Sequence, residues 1–149
     1  MKDSEQTEPS LTVSDKCTLC DACSNACPTT ALRIRVLDGR VQLLFGPADC
    51  RPLLCESLCV RLCPEKAISL HPPPRNGGAR TVILMEDALA SCTACGLPYT
   101  SERRKNRAQE LLVYKKANRT AIDAMNYCPA CRRSGSLISK GMKSVSRQD

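Results

Sequence analysis

The stretch from Cys17 to Pro28, CTLCDACSNACP, sets Cys17, Cys20, Cys23 and Cys27 at C-x2-C-x2-C-x3-C, with a proline directly after the last. Three thiolates so closely spaced let one tight loop wrap three corners of a 4Fe-4S cubane, its backbone N–H groups turned towards the inorganic sulfides. The fourth ligand to such a cube comes from elsewhere in the chain.

Downstream, CRPLLCESLCVRLCP repeats the theme more loosely. Cys50, Cys55, Cys59 and Cys63 are spaced C-x4-C-x3-C-x3-C, again with a proline, Pro64, after the last. Extra residues between ligands can be looped out, so four cysteines ending in Cys-Pro argue for a second 4Fe-4S site. The residues after each Cys-Pro support the pairing. Ala31 to Val36 and Val41 to Phe45 alternate around Asp38-Gly39, a hairpin-type turn signal. After Pro64 come EKAISLH, the Pro- and Gly-rich HPPPRNGGAR, and the strand-like TVILM from Thr81 to Met85. The chain thus reads as an internal repeat, each unit a cysteine run, a short helix around the Cys-Pro and a hairpin.

On these motifs, residues 14 to about 72 resemble the bacterial-type 2[4Fe-4S] dicluster ferredoxin family. The resemblance implies an α+β fold, a small pseudo-twofold body with short hairpins, whose clusters serve as its core. It also implies that the last cysteine of each run serves the other run's cluster. Cys17, Cys20, Cys23 and Cys63 would then hold one cluster, and Cys50, Cys55, Cys59 and Cys27 the other. The hairpin insertions look like those of dicluster subunits of larger oxidoreductases. The second run's spacing is also similar to one motif in the iron-sulfur domain of ribosome-recycling ATPases, but no GxxxxGK[ST] occurs here.

The remaining cysteines, Cys92 and Cys95 in CTACG and Cys128 and Cys131 in CPACR, form two C-x2-C pairs with 32 residues between them. Four thiolates so arranged suit a tetrahedral structural zinc in a zinc-ribbon-like module. Rubredoxin-like iron is the alternative, since both knuckles resemble those of rubredoxins; such sites are packed with aromatics, and this segment offers Tyr99, Tyr114 and Tyr127. Between the pairs, SERRKNRAQELLVYKKANRTAIDAMNY reads as a helix N-capped by Ser101, with a second short helix from Thr120 to Asn126.

Composition explains why metal is needed. Leu, Ile, Val and Phe number 30 of 149 residues, with one Phe and no Trp, which is too little apolar mass for an ordinary core. Twelve cysteines take its place. The N-terminus, MKDSEQTEPS, has no basic-then-apolar leader pattern, and the longest uncharged stretch, Ala88 to Ser101, is 14 residues and not apolar. A cytoplasmic chain without a transmembrane segment is therefore expected, and in such a reducing compartment clustered cysteines bind metal.

Residues 1–90 carry 10 Lys or Arg against 11 Asp or Glu, whereas 91–149 carry 12 against 4. The expected organisation is a flexible N-terminus (1–13), a dicluster ferredoxin domain (14–86), a four-cysteine zinc-ribbon-like module (87–133) and a flexible basic tail (134–149). The chain has no nucleophile, nucleotide loop or flavin fingerprint, and its single histidine, His71, sits beside three prolines. The leading function is electron transfer to or from a larger oxidoreductase, with the zinc module for stability or docking and no catalytic site in this chain. The competing function is a nucleic-acid-binding or assembly factor propped by structural clusters and zinc. Against it, the cluster Arg103, Arg104, Lys105 and Arg107 has no aromatics interleaved for base stacking. A regulatory sensor whose cluster loss alters partner binding is a third reading.

Overall fold

The computed structural model describes residues 9–72 and 80–134. Most of the expected N-terminal segment, residues 73–79 of the Pro- and Gly-rich loop, and the tail beyond residue 134 lie outside the described residues. The chain divides into two compact units, Met1–Asp87 and Ala88–Asp149, and both mix short helices with strands.

In the first unit, β1 (Ser10–Val13) pairs antiparallel with β4 (Ile68–His71), in register from Ser10 opposite His71 to Val13 opposite Ile68. Ser14 N–H extends the ladder to Ala67 O at 2.8 Å. This strand corrects the expectation of a flexible N-terminus through residue 13. Leu11 is buried on its inner face while Thr12 faces out, and the pairing partner lies too far along the chain for any local pattern to announce it. His71 Nε2 lies 2.9 Å from Thr12 Oγ1, so the one histidine is engaged in closing this ladder.

β2 (Leu32–Leu37) and β3 (Arg40–Phe45) form the expected hairpin, from Leu32 opposite Phe45 to Leu37 opposite Arg40. Asp38 and Gly39 both have positive φ, 50° and 72°, the requirement of a type I′ turn. The second expected hairpin does not form. β5 (Val82–Ser91) is a neighbour of β3, not of β4. The proline run that begins at Pro72, directly after β4, supplies no N–H donors and ends that strand. β5 instead takes the free edge of β3, where Glu86 pairs with Arg40 at 2.6 Å and accepts from the Gln42 side chain. Gln42 accepts in turn from Arg35 of β2 at 2.7 Å, which accounts for a buried amide in the middle of a strand.

The internal repeat is visible residue by residue. α1 (Ala22–Ala26) carries Cys23, and α3 (Leu58–Arg61) carries Cys59. Beyond them, Cys27-Pro28-Thr29-Thr30-Ala31-Leu32 and Cys63-Pro64-Glu65-Lys66-Ala67-Ile68 take one path. Thr30 and Lys66 are both left-handed, with φ of 54° and 49°, and donate to the carbonyls of Cys27 and Cys63. Ala31 and Ala67 are then buried at the strand entrances.

The second unit begins with the end of β5, whose Leu89 and Ala90 pair with Ser101 and Thr100 of β6 (Pro98–Ser101). Ser101 caps α4 (Glu102–Tyr114), its Oγ accepting from Arg104 N–H at 3.1 Å. Asn118 caps α5 (Arg119–Asp123) in the same way, and a 3-10 turn over Ala124–Asn126 comes next. The second helix thus starts one residue earlier than expected and tightens at its end. α6 (Pro129–Arg133), too short to betray itself by periodicity, completes the unit. Gln109 of α4 bonds Ile122 O and the Asn126 side chain, tying α4 to the segment after it. No helix among the described residues is long and apolar enough to cross a membrane.

Candidate metal centres

Two cavities in the first unit are walled by cysteines. Cys17, Cys20 and Cys23 line the first, of about 20 Å³, together with Cys63. Cys50, Cys55 and Cys59 line the second, of about 20 Å³, together with Cys27. The last cysteine of each run therefore faces the cavity of the other run. The exchange arises from the repeat, because each Cys-Pro leads out of its own loop and into a strand beside its counterpart's cavity.

Beside the cysteines and a few polar residues, among them Asp21 and Glu65 in the first and Thr29 and Arg51 in the second, the walls are apolar. Leu19, Ile34, Leu43 and Ile68 border the first cavity, and Leu11, Leu32, Phe45 and Leu58 border the second. The single Phe of the chain thus packs against a cysteine cavity at 2% exposure. The longer spacing of the second run is absorbed outwards. α2 (Pro52–Cys55) turns Leu53 and Leu54 to solvent, 97% and 73% exposed, and the left-handed residues Glu56 and Ser57 return the chain to Cys59.

Protonation shows what these cavities need. Burial, reinforced by repulsion from Cys17 and Cys20, pushes the Cys23 thiol up to about 12. Burial and the neighbours Cys59, Cys55 and Cys27 push Cys50 up to about 11. Burial also raises Cys59. Thiols so crowded and desolvated keep their protons, and binding a metal there would expel them. Cys27 departs from the trend: burial works against its ionisation, but N–H groups of Leu32, Thr29 and Ala31 and the Thr29 hydroxyl at 3.6 Å lower it. In the corresponding place of the second run, Ala67 N–H donates to Cys63 Sγ at 3.2 Å. Thr29 was not among the expected site residues; its position directly after Cys-Pro was the available signal.

The second unit brings together Cys92, Cys95, Cys128 and Cys131, all four Sγ atoms within 4.8 Å of one another. Metal–sulfur bonds of about 2.3 Å in a tetrahedron imply sulfurs about 3.8 Å apart, and Cys95 Sγ lies 3.9 Å from Cys128 Sγ. Among the described residues no other such group closes to single-ion spacing. Gly96, at φ 74°, makes the turn of the first knuckle, its N–H bonding Cys92 O at 2.8 Å. The second knuckle opens α6, where Cys128 Sγ accepts from Cys131 N–H at 3.4 Å. Although burial opposes it, N–H groups of Cys128, Cys95 and Ala94 draw the Cys92 thiol down to about 6. Hydrogen bonding with Cys128 and Cys95 pushes Cys131 up to about 12. Of the three tyrosines, Tyr99 is half-buried with its hydroxyl donating to Met125 O, whereas Tyr114 is 84% exposed.

Residues 12–33 match a known family, the 4Fe-4S binding domain. The methylamine utilization ferredoxin-type protein MauM of Paracoccus denitrificans (strain Pd 1222) is 43% identical over 84 residues, 50% of this chain and 36% of that relative. The match thus spans little more than a third of the relative's length. Both similarities are to iron-sulfur sequences, a 4Fe-4S binding domain and a ferredoxin-type protein.

Proposed function

We propose, starting from the 4Fe-4S binding domain in residues 12–33, that this iron-sulfur electron-transfer protein carries two 4Fe-4S clusters and one zinc ion. Cys17, Cys20, Cys23 and Cys63 hold the first cluster, and Cys27, Cys50, Cys55 and Cys59 the second. Cys92, Cys95, Cys128 and Cys131 hold the zinc. The observation that carries this reading is the exchange of last cysteines between the two cavities.

When bound, a 4Fe-4S cluster supplies a site that takes up and gives up one electron at a time. The residues around it hold and insulate. Four thiolates per cavity leave no coordination position for a substrate, and the apolar walls limit water. N–H groups at Cys27 and Cys63 stabilise thiolate charge. His71 Nε2 is engaged with the Thr12 hydroxyl. Zinc is redox-silent, so the four-cysteine site folds the second unit and leaves it for stability or docking.

The partner is a larger oxidoreductase. The Paracoccus relative is tied by its name to methylamine utilization; what we extend from it to this chain is its ferredoxin-type character. A reducing, cytoplasmic setting suits twelve cysteines that form no disulfide.

The test is an anaerobic titration of the purified protein with a low-potential reductant, followed by low-temperature EPR and quantified against iron, sulfide and zinc. The expected content is about eight irons, eight sulfides and one zinc per chain, with two interacting reduced clusters. Full clusters that resist reduction would overturn electron transfer and favour a structural role, with salt-dependent nucleic-acid binding the next property to measure.

A further inference from the structure

The second unit contains a cavity that the metal centres do not use. It holds about 350 Å³, within the usual range for small-molecule sites, and lies between the end of β6, the first turns of α4 and the start of α6. Its charge is one-sided. Arg104, Lys105 and Arg132 line it and no carboxylate does. Lys105 is already paired with Glu102 at 2.5 Å, but the Arg104 guanidinium has no carboxylate partner among the described residues. Arg132 gives a second, independent sign, because its Nε is buried and has no hydrogen-bond partner among the described residues. A buried guanidinium N–H without an acceptor is costly, and an anionic oxygen would satisfy it. Tyr99, Ala108, Met125 and Pro129 give the remaining wall its apolar surface, with Thr100 beside them.

We propose that this cavity binds an organic oxyanion, a carboxylate or phosphate monoester with an apolar body. Arg132 and Arg104 grip the anionic head from two different helices, and the apolar wall takes the body. Planar guanidinium forks suit either head group, since both present paired oxygens. The inference does not depend on the clusters of the first unit.

Isothermal titration calorimetry on the metal-loaded full chain, at low chloride, tests it with phenyl phosphate, benzoate and inorganic phosphate as probes. The expected result is one saturable site for phenyl phosphate or benzoate, the tighter of the two identifying the head group, with inorganic phosphate weaker because it lacks the body. Arg104→Gln and Arg132→Gln should each weaken binding at least tenfold. Arg119→Gln should leave it unchanged, because Arg119 is 89% exposed and outside the cavity. Zinc content is measured on each variant. If Arg132→Gln loses metal, Arg104→Gln alone decides, since Arg104 is remote in sequence from the cysteines. No saturable heat with either organic probe, or equal weakening by Arg119→Gln, would overturn the proposal.

Discussion

Leu43 and Phe45 stand two residues apart on one face of β3, yet Leu43 walls the first cysteine cavity and Phe45 the second. Both are almost wholly buried, at 1% and 2% exposure. One strand therefore supplies apolar backing to both cavities, in a chain too poor in large apolar residues to build two separate cores. Leu43→Ala and Phe45→Ala are each expected to cost about 3 kcal/mol. They should differ in which cluster is lost first. Chelator challenge followed by EPR should show early loss of the first centre in Leu43→Ala and of the second in Phe45→Ala; identical loss patterns would refute the division of labour.

The second run is looser than the compact first run, with four residues between Cys50 and Cys55. The Cys50 thiol nonetheless lines the second cavity, and its ionisation is opposed by burial and by Cys59 and Cys55. Cys50→Ala should reduce iron and sulfide by about half, with the first cluster intact. Retention of full iron in this variant would remove Cys50 from the ligand set.

Thr29 offers a way to tune one centre without dismantling it. Its hydroxyl lies 3.6 Å from Cys27 Sγ and helps lower that thiol. Donors to sulfur stabilise the more negative, reduced state of a cluster. Thr29→Val should therefore lower the reduction potential of the second centre, by on the order of tens of millivolts, and leave the first unmoved. Potentiometric EPR titration reads both in one experiment.

Glu86 links β5 to β3 and carries a pH signature. The Gln42 side-chain amide and the Arg40 guanidinium hold its carboxyl below the usual value of 4.5. A depressed folded-state value means that its contribution to stability is fully present above the unfolded value and is lost as pH falls through the folded one. Wild-type Tm should thus fall more steeply than that of Glu86→Gln below about pH 4.5. Parallel curves from pH 6 to 3 would show that the pair contributes nothing to the fold.

The cysteine spacings, the Asp38-Gly39 turn and the Ser101 cap were legible in sequence because each is a local device whose chemistry is fixed within a few residues. The β1–β4 ladder was not, since Leu11 and Leu70 meet from opposite ends of the first unit. The choice of β3 as β5's neighbour was equally hidden: it depends on which strand edge stays free once Pro72 ends β4. Periodicity could not reveal α6 at five residues. For the same reason the meeting of Arg104 with Arg132 was unreadable, although Arg104 stands in a conspicuous basic run.

The four-cysteine group gives the last prediction. Among the described residues of the second unit the buried apolar ones are Ala90 and the cysteines Cys92 and Cys128 themselves. Its helices α5 and α6 are five residues each, far below the length at which a helix is stable alone. The bonds that join its two knuckles run through the metal-site backbone, as in Thr93 N–H to Asn126 O at 3.0 Å and Cys128 N–H to Cys92 Sγ at 3.3 Å. Folding of this unit should therefore be coupled to metal binding. Cys128→Ala, or a zinc chelator applied to the wild type, should release one metal per chain and remove the helical circular-dichroism signal of α4, while the visible absorption of the clusters persists. Loss of both clusters along with the zinc would mean that the two units do not fold independently.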